Sequence, residues 1–217
     1  MARRPAPQLL PTDRDRALAL TPVSRETAER LDAFVALLLR WQERTNLIAP
    51  STIPELWTRH IADSLQLARL APAAKVWIDL GSGGGFPGLI VAIAAAPGCV
   101  VHLVESNAKK AAFLREAARV LDAPARVYCE RAEDFAQHFK DHTDVVMARA
   151  LAPLDVLLRW VAPLMREGTQ ALLMKGQDVE AELTEASKYW RITADLVPSL
   201  TDPAARIMIV RRLEPRR

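Results

Sequence analysis

Apolar positions recur along this chain with two periods, and the change from one to the other divides it. Leu31, Phe34, Val35, Leu38 and Trp41 return at the three- and four-residue spacing of one helix face, and Ser24 is suited to cap that helix. Thr45-Asn46-Leu47-Ile48 breaks the pattern. Pro54 then opens a second helix running to about Leu70, with Trp57, Ile61, Leu65 and Ala68 as its buried stripe. From Val76 onward, short apolar runs alternate with helical stretches, the signature of a parallel sheet covered on both faces. Strands are predicted at about 76–80, 99–104, 125–130, 144–148 and 169–175, and helices at about 87–96, 107–122, 153–165 and 177–189. The stretch 131–140 reads as loop with a short turn of helix, and 191–197 with 205–212 as a closing antiparallel strand pair. The expected α/β plan is a disordered or loosely attached tail over 1–23, a helical extension over 24–71 and a Rossmann-like domain over 72–217 with a mostly parallel seven-stranded sheet.

The first strand ends abruptly at Gly81-Ser82-Gly83-Gly84-Gly85-Phe86-Pro87-Gly88. A side chain at Gly81, Gly83 or Gly85 would block either a positive φ or close approach of a ligand to the backbone. Strand, glycine turn and helix N-terminus together offer backbone N–H groups to an anionic or polar small molecule. Gly83, Gly85 and Gly88 fit the G-x-G-x-x-G of dinucleotide binding, but they start two residues past the strand end. Asp79, Gly81, Gly83 and Gly85 fit the acidic-x-G-x-G-x-G loop of S-adenosylmethionine (SAM) enzymes, with its first glycine directly at the strand end. The spacing favours SAM; a nicotinamide or flavin cofactor and a structural turn remain the alternatives.

Composition narrows the class. With 50 % hydrophobic and 25 % charged residues, the 217-residue chain is neither disordered nor fibrous. Its longest apolar stretch, Leu89 to Ala96, is far short of the roughly 20 residues of a membrane span. No signal-peptide core follows Arg3 and Arg4, so a cytoplasmic protein without membrane contact is expected, and a monomer. Cys99 and Cys129 lie in apolar runs without ligand spacing and read as buried free thiols, with no metal site. Net charge is only +3, yet Lys109-Lys110 and the tail Arg211, Arg212, Arg216 and Arg217 concentrate basic groups suited to a polyanion.

Open parallel sheets bind ligands at the carboxyl ends of their strands. Glu105 closes the second strand about 20 residues past the glycine loop, where a carboxylate can accept from both hydroxyls of a ribose. Arg131-Ala132-Glu133 follows the third strand, Arg149-Ala150 the fourth and Lys175-Gly176-Gln177 the fifth. Arg149 ends an apolar run, so its charge needs a protein carboxylate or a ligand. His60, Asp63 and Ser64 sit three or four residues apart on one helix face, but without a nucleophile-elbow sequence they read as a polar cluster lining the pocket rather than a hydrolase triad.

These segments, together with Asn46-Leu47 and Arg59-His60-Ile61-Ala62-Asp63-Ser64-Leu65, resemble the bacterial small-subunit ribosomal RNA guanine-N7 methyltransferases (RsmG, also called GidB) over about residues 31–210. The resemblance implies a class I SAM-dependent methyltransferase fold and SAM as donor, with S-adenosylhomocysteine as product. As substrate it implies one guanine in the 530 loop of 16S rRNA, within the 30S subunit or an assembly intermediate. Carried over by motif, Gly81, Phe86, Ala132, Glu133 and Arg149 line the SAM site, while Lys175 and Arg206 face the active-site opening. His60, Lys109, Lys110 and Arg131 are added on the substrate side.

Guanine N7 carries no proton near neutral pH, so its lone pair can attack a sulfonium methyl without a base. Catalysis then reduces to alignment, which can supply roughly 7–11 kcal/mol, with Arg149 and Lys175 as positioning groups and no acid or base. The sequence accordingly lacks the Asn/Asp-Pro-Pro-Tyr motif of enzymes that methylate exocyclic amines. A nicotinamide-dependent oxidoreductase and a non-catalytic RNA-binding protein on the same fold are the rival readings.

Overall fold

The computed structural model describes residues 12–216. Helix α1 (Asp13–Leu20) starts from a capping box between Thr12 and Asp15. Its Asp13 carboxylate accepts from the backbone N–H of Trp57 and Thr58, its Arg14 pairs with Asp32 at 2.8 Å, and Ala17 is buried. The expected loose tail is therefore corrected over its second half; residues 1–11 lie outside the described residues. Helix α2 (Arg25–Gln42) is capped by Ser24 and buries Leu31, Phe34 and Leu38.

The single helix expected from Pro54 to Leu70 is three pieces: a 3-10 segment at Pro50–Glu55, a wide π-helical turn at Trp57–Ala62, and α3 (Asp63–Leu70). The widened turn carries His60 and presents the Arg59 carbonyl to Arg149. Such turns recur where an element serves a site rather than only packing.

The remainder alternates β1 (Val76–Leu80), α4 (Gly88–Ala94), β2 (Val100–Val104), α5 (Ala108–Val120), β3 (Ala125–Tyr128), α6 (Ala132–His138), β4 (Val145–Arg149), α7 (Leu154–Val161), β5 (Gln170–Lys175), α8 (Val179–Ala186), β6 (Trp190–Pro198) and β7 (Arg206–Pro215). Residues 132–138 form a full helix rather than a turn, because Ala132, Phe135 and Ala136 give it a buried stripe. Cys129 lies just beyond β3 and is exposed, not buried.

The seven strands lie in the order β3-β2-β1-β4-β5-β7-β6, parallel except for β7, which runs antiparallel to both β5 and β6. The order reverses between β1 and β4, and that switch opens a crevice beyond the carboxyl ends of the strands. One face of the sheet packs on Phe34, Leu89 and Phe113, the other on Phe135, Leu157 and Leu158, all buried. Full burial of each such side chain contributes about 1.5–3 kcal/mol. Both faces being covered, the strands can be nearly all apolar, and the polar residues at their ends are the ones left to face the crevice. Among the described residues, no helix is long and apolar enough to cross a membrane.

Candidate active site

Gly81, Gly83 and Gly85 have φ of 74°, 54° and 93°, the left-handed region expected for the loop. The loop is held from below by Gly81 and Ser82 N–H donating to Val104 O, and from the side by Gly83 N–H donating to Glu105 Oε2 at 2.8 Å. Glu105 Oε1 accepts from Asn107 N–H at 2.7 Å. These bonds fix a carboxylate beside the loop, and each of its oxygens retains a lone pair.

A cavity of about 400 Å³ opens here, lined by Gly81 to Gly84, Phe86, Glu105, Lys110, Arg131, Ala132, Glu133 and Arg149. This volume lies within the range of small-molecule sites. The cradle fits the donor that the motif implies. The Glu105 carboxylate suits ribose hydroxyls and the bare glycine backbone lets a ligand approach closely, while Leu47, Ile48, Leu151 and Trp160 supply apolar walls for a flat base. Sequence reasoning missed those four as site residues, since each reads as ordinary core; Leu47 alone belongs to one of the family-like segments.

Two of the expected cofactor residues act from behind. Gly85 packs against Leu89 and Leu114. Asp79 is fully buried, accepts from Gly88 N–H at 3.0 Å and does not line the cavity, because the strand turns its side chain beneath the loop. Burial pushes the Asp79 carboxyl up to about 7, opposed by Ser82, the Gly88 N–H and the Arg149 charge.

A second cavity of about 320 Å³ adjoins the first and shares Arg149, Ala150 and Leu151 with it. Its other walls include Asp63, Met174, Lys175, Gly176, Asp178, Glu182 and Arg206. Arg149 meets both a protein carboxylate and the ligand space, the two options its position allowed. Its Nη1 donates to Arg59 O at 3.1 Å and lies 3.5 Å from Asp63 Oδ2, and its Nη2 donates to His60 Nδ1 at 2.7 Å. The guanidinium also sits 5.4 Å from the Phe86 ring centroid. Burial lowers the guanidinium pKa and Asp63 opposes that shift.

His60 is buried against Phe86, with ring centroids 4.8 Å apart, and its Nε2 pairs with Thr52 Oγ1 at 2.8 Å. Burial first, then the charges of Arg149 and Arg59, lower its pKa to about 3. No triad forms: Ser64 Oγ donates to the His60 backbone carbonyl, and Asp63 instead gathers Gln66, Ser199 and Thr201. Through that hub the turn between β6 and β7 is tied to Arg149.

The basic residues separate. Lys110 and Arg131 line the first cavity, although Arg131 is paired with Glu133 at 3.0 Å. Lys175 and Arg206 line the second; Lys175 is paired with Glu182 at 2.5 Å, and Arg206 donates to the carbonyls of Pro203 and Ala205. Lys109 joins neither, because one residue of helix turns it toward a separate groove with Arg40, Trp41 and Arg44. Arg211 and Arg212 are engaged locally by Asp195 and Glu214, and Arg217 lies outside the described residues.

Comparison with known proteins gives the family and the fold. Residues 27–206 match the family model described as rRNA small subunit methyltransferase G. The chain is 56 % identical over 211 residues to the ribosomal RNA small subunit methyltransferase G of Bradyrhizobium sp. (strain BTAi1), covering 96 % of this chain and 95 % of that one. It is 60 % identical over 198 residues to the protein of the same name from Nitrobacter winogradskyi, covering 90 % and 72 %. Among solved structures, the O-methyltransferase from Bacillus cereus in complex with SAH superposes with a TM-score of 0.62 at 17 % identity, covering 92 % and 97 %. Cofactor-bound Rv0187 from MTB superposes with a TM-score of 0.63 at 15 % identity, covering 93 % and 98 %. At these identities the two structures speak for the fold, that of class I methyltransferases.

Proposed function

The chain belongs to the rRNA small subunit methyltransferase G family, and from that premise we propose that it methylates N7 of one guanine in the 530 loop of 16S rRNA. SAM is the donor, the chain acts as a cytoplasmic monomer, and the RNA is presented by the 30S subunit or an assembly intermediate. One observation carries this reading: two cavities meet at the topological switch and share the wall Arg149-Ala150-Leu151.

When bound, SAM supplies a methyl group made electrophilic by its sulfonium. The chain's own part is placement. Glu105 and the glycine loop orient the donor in the first cavity, and the second takes the acceptor base. Of the five N–H groups of a guanidinium, Arg149 directs three to Arg59, Asp63 and His60, which leaves two for a ligand. An N–H aimed at guanine O6 orients the base and leaves N7 free to attack. Both ring nitrogens of His60 are occupied, so His60 offers no base. A reaction at N7 needs none.

Calorimetry tests the cofactor half of this reading. SAM is expected to bind with micromolar affinity and NADH not at all; binding of NADH without SAM would assign the loop to a dinucleotide.

A further inference from the structure

We infer that Glu182, which belongs to none of the motifs, is a positioning residue for methyl transfer that acts by holding the wall between the two cavities; the inference rests on the second cavity being the acceptor site.

That wall is residues 150–153, between β4 and α7. Ala150 has φ of 48°, a left-handed conformation that a residue with a side chain adopts only when its surroundings impose it. At the cofactor end, Leu151 fills the space beside Gly81, where a Cβ would collide with it. At the other end α7 begins after Pro153, which has no side-chain acceptor for the free N–H groups of the first turn. Glu182 supplies that acceptor from α8: its Oε2 accepts from Leu154 N–H at 2.7 Å. The same oxygen pairs with Lys175 Nζ at 2.5 Å, and Lys175 Nζ lies 3.4 Å from Ala152 O. One carboxylate thus gathers the start of α7 and the last residue of β5, and through Lys175 it reaches Ala152 O in the strained segment before α7.

The arrangement assigns Lys175 a role other than a free contact for RNA. Its side chain is 10 % exposed and its charge is matched within the protein. Removing Glu182 would leave that cation buried and unpaired, and would release the wall against which the acceptor is aligned. The groups that surround the donor on the ends of β1, β2 and β3 would stay in place, and Leu151, the part of the wall that lines the donor cavity, keeps its own packing against Gly81. Alignment should therefore suffer and donor affinity should not.

The test combines hydrogen exchange with single-turnover kinetics at saturating SAM and RNA. Glu182→Ala is expected to speed exchange of the Leu154 amide roughly tenfold or more. The same variant should lower the methyl-transfer rate constant roughly 10–100-fold, with SAM affinity within about threefold of the parent, well under the energy of one lost hydrogen bond. Glu182→Gln keeps an acceptor for the Leu154 N–H but not the charge, so exchange should remain slow while the rate still falls, and adding Lys175→Met should cause no further loss. Unchanged exchange in Glu182→Ala, a parental rate in both Glu182 variants, or a loss of SAM affinity as large as the loss of rate would each overturn the inference. A parent protein that transfers no methyl to rRNA would strike the functional reading instead, and the exchange result alone would then decide whether Glu182 holds the wall.

Discussion

Arg149 Nη2 donates to His60 Nδ1 at 2.7 Å, a bond that requires the imidazole to be unprotonated at that nitrogen. With its pKa lowered to about 3, His60 stays neutral throughout the physiological range. Single-turnover methyl transfer at saturating SAM should accordingly be nearly flat between about pH 6.5 and 8.5, where reference Arg and Lys groups remain charged; Asp79, which titrates at about 7, lies beneath the loop and lines neither cavity, so its ionisation is expected to change stability rather than the chemical step. His60→Asn should lower the rate constant by roughly tenfold through a displaced guanidinium and leave that profile flat. A rise of rate with pH that vanishes in His60→Asn would reveal proton removal in the chemical step.

The same histidine and Asp79 should give opposing pH dependences of stability. Asp79 titrates at about 7 when folded against an ordinary value of 3.8, so the native state holds a proton that the unfolded state releases. Its contribution is complete below about pH 4 and is lost as pH rises through 7. His60 titrates at about 3 when folded against 6.5, so its contribution is present above 6.5 and is lost as pH falls toward 3. Each amounts to roughly 4–5 kcal/mol across its window, and between about pH 4 and 6.5 they offset. Relative to the parent, the urea midpoint of Asp79→Asn should climb from about pH 4.5 to about 6.5 and that of His60→Asn should fall. Shifts in the same direction would remove one of the two assignments.

Two glycines of one loop should fail differently. A Cβ added at Gly83 would meet nothing closer than Gly81 O at 3.8 Å, so Gly83→Val is strained only by its φ of 54°. It should fold and lose SAM affinity by roughly 100-fold or more, because a branched side chain resists the left-handed backbone that aims the loop. A Cβ at Gly88 would overlap Leu103 and Asp79, both buried, so Gly88→Ala should destabilise the fold by roughly 1–3 kcal/mol. Thermal melts and calorimetry separate the two effects; retained micromolar SAM affinity in Gly83→Val would refute the loop assignment.

Which features could be read from the sequence follows from how local each signal is. Val76–Leu80 could be placed because an apolar run stops at Gly81, and the positive φ values followed from the glycines themselves. Glu105 could be placed beside the loop because it ends the adjacent strand. The partners of Arg149 could not be assigned, since His60 and Asp63 lie 89 and 86 residues away and meet it only across the switch point. Lys175 read as a free basic group because it ends a strand and its partner Glu182 lies beyond a loop on the next helix. Asp79 read as a pocket residue because the motif does not reveal which side of the strand its carboxylate takes. The widened turn at Trp57–Ala62 had no signal either, as its residues are those of an ordinary amphipathic helix.

RNA affinity should depend on salt through the cations that remain accessible. Arg206 lines the second cavity, and Lys109 lies in the separate groove with Arg40 and Arg44. Arg206→Ala and Lys109→Ala should each reduce the slope of log affinity against log salt by about 0.7–0.9, with SAM affinity unchanged. Parental slopes in both would place the RNA path elsewhere on the surface.

Methyl transfer itself is followed most directly by supplying the purified chain with SAM labelled in its methyl group and 30S subunits from cells lacking the enzyme. The rRNA is then digested to nucleosides and the labelled product identified. Label is expected in 7-methylguanosine alone, approaching one methyl per 16S rRNA and mapping to the 530 loop. No incorporation, or label in any other nucleoside, would contradict methylation at guanine N7.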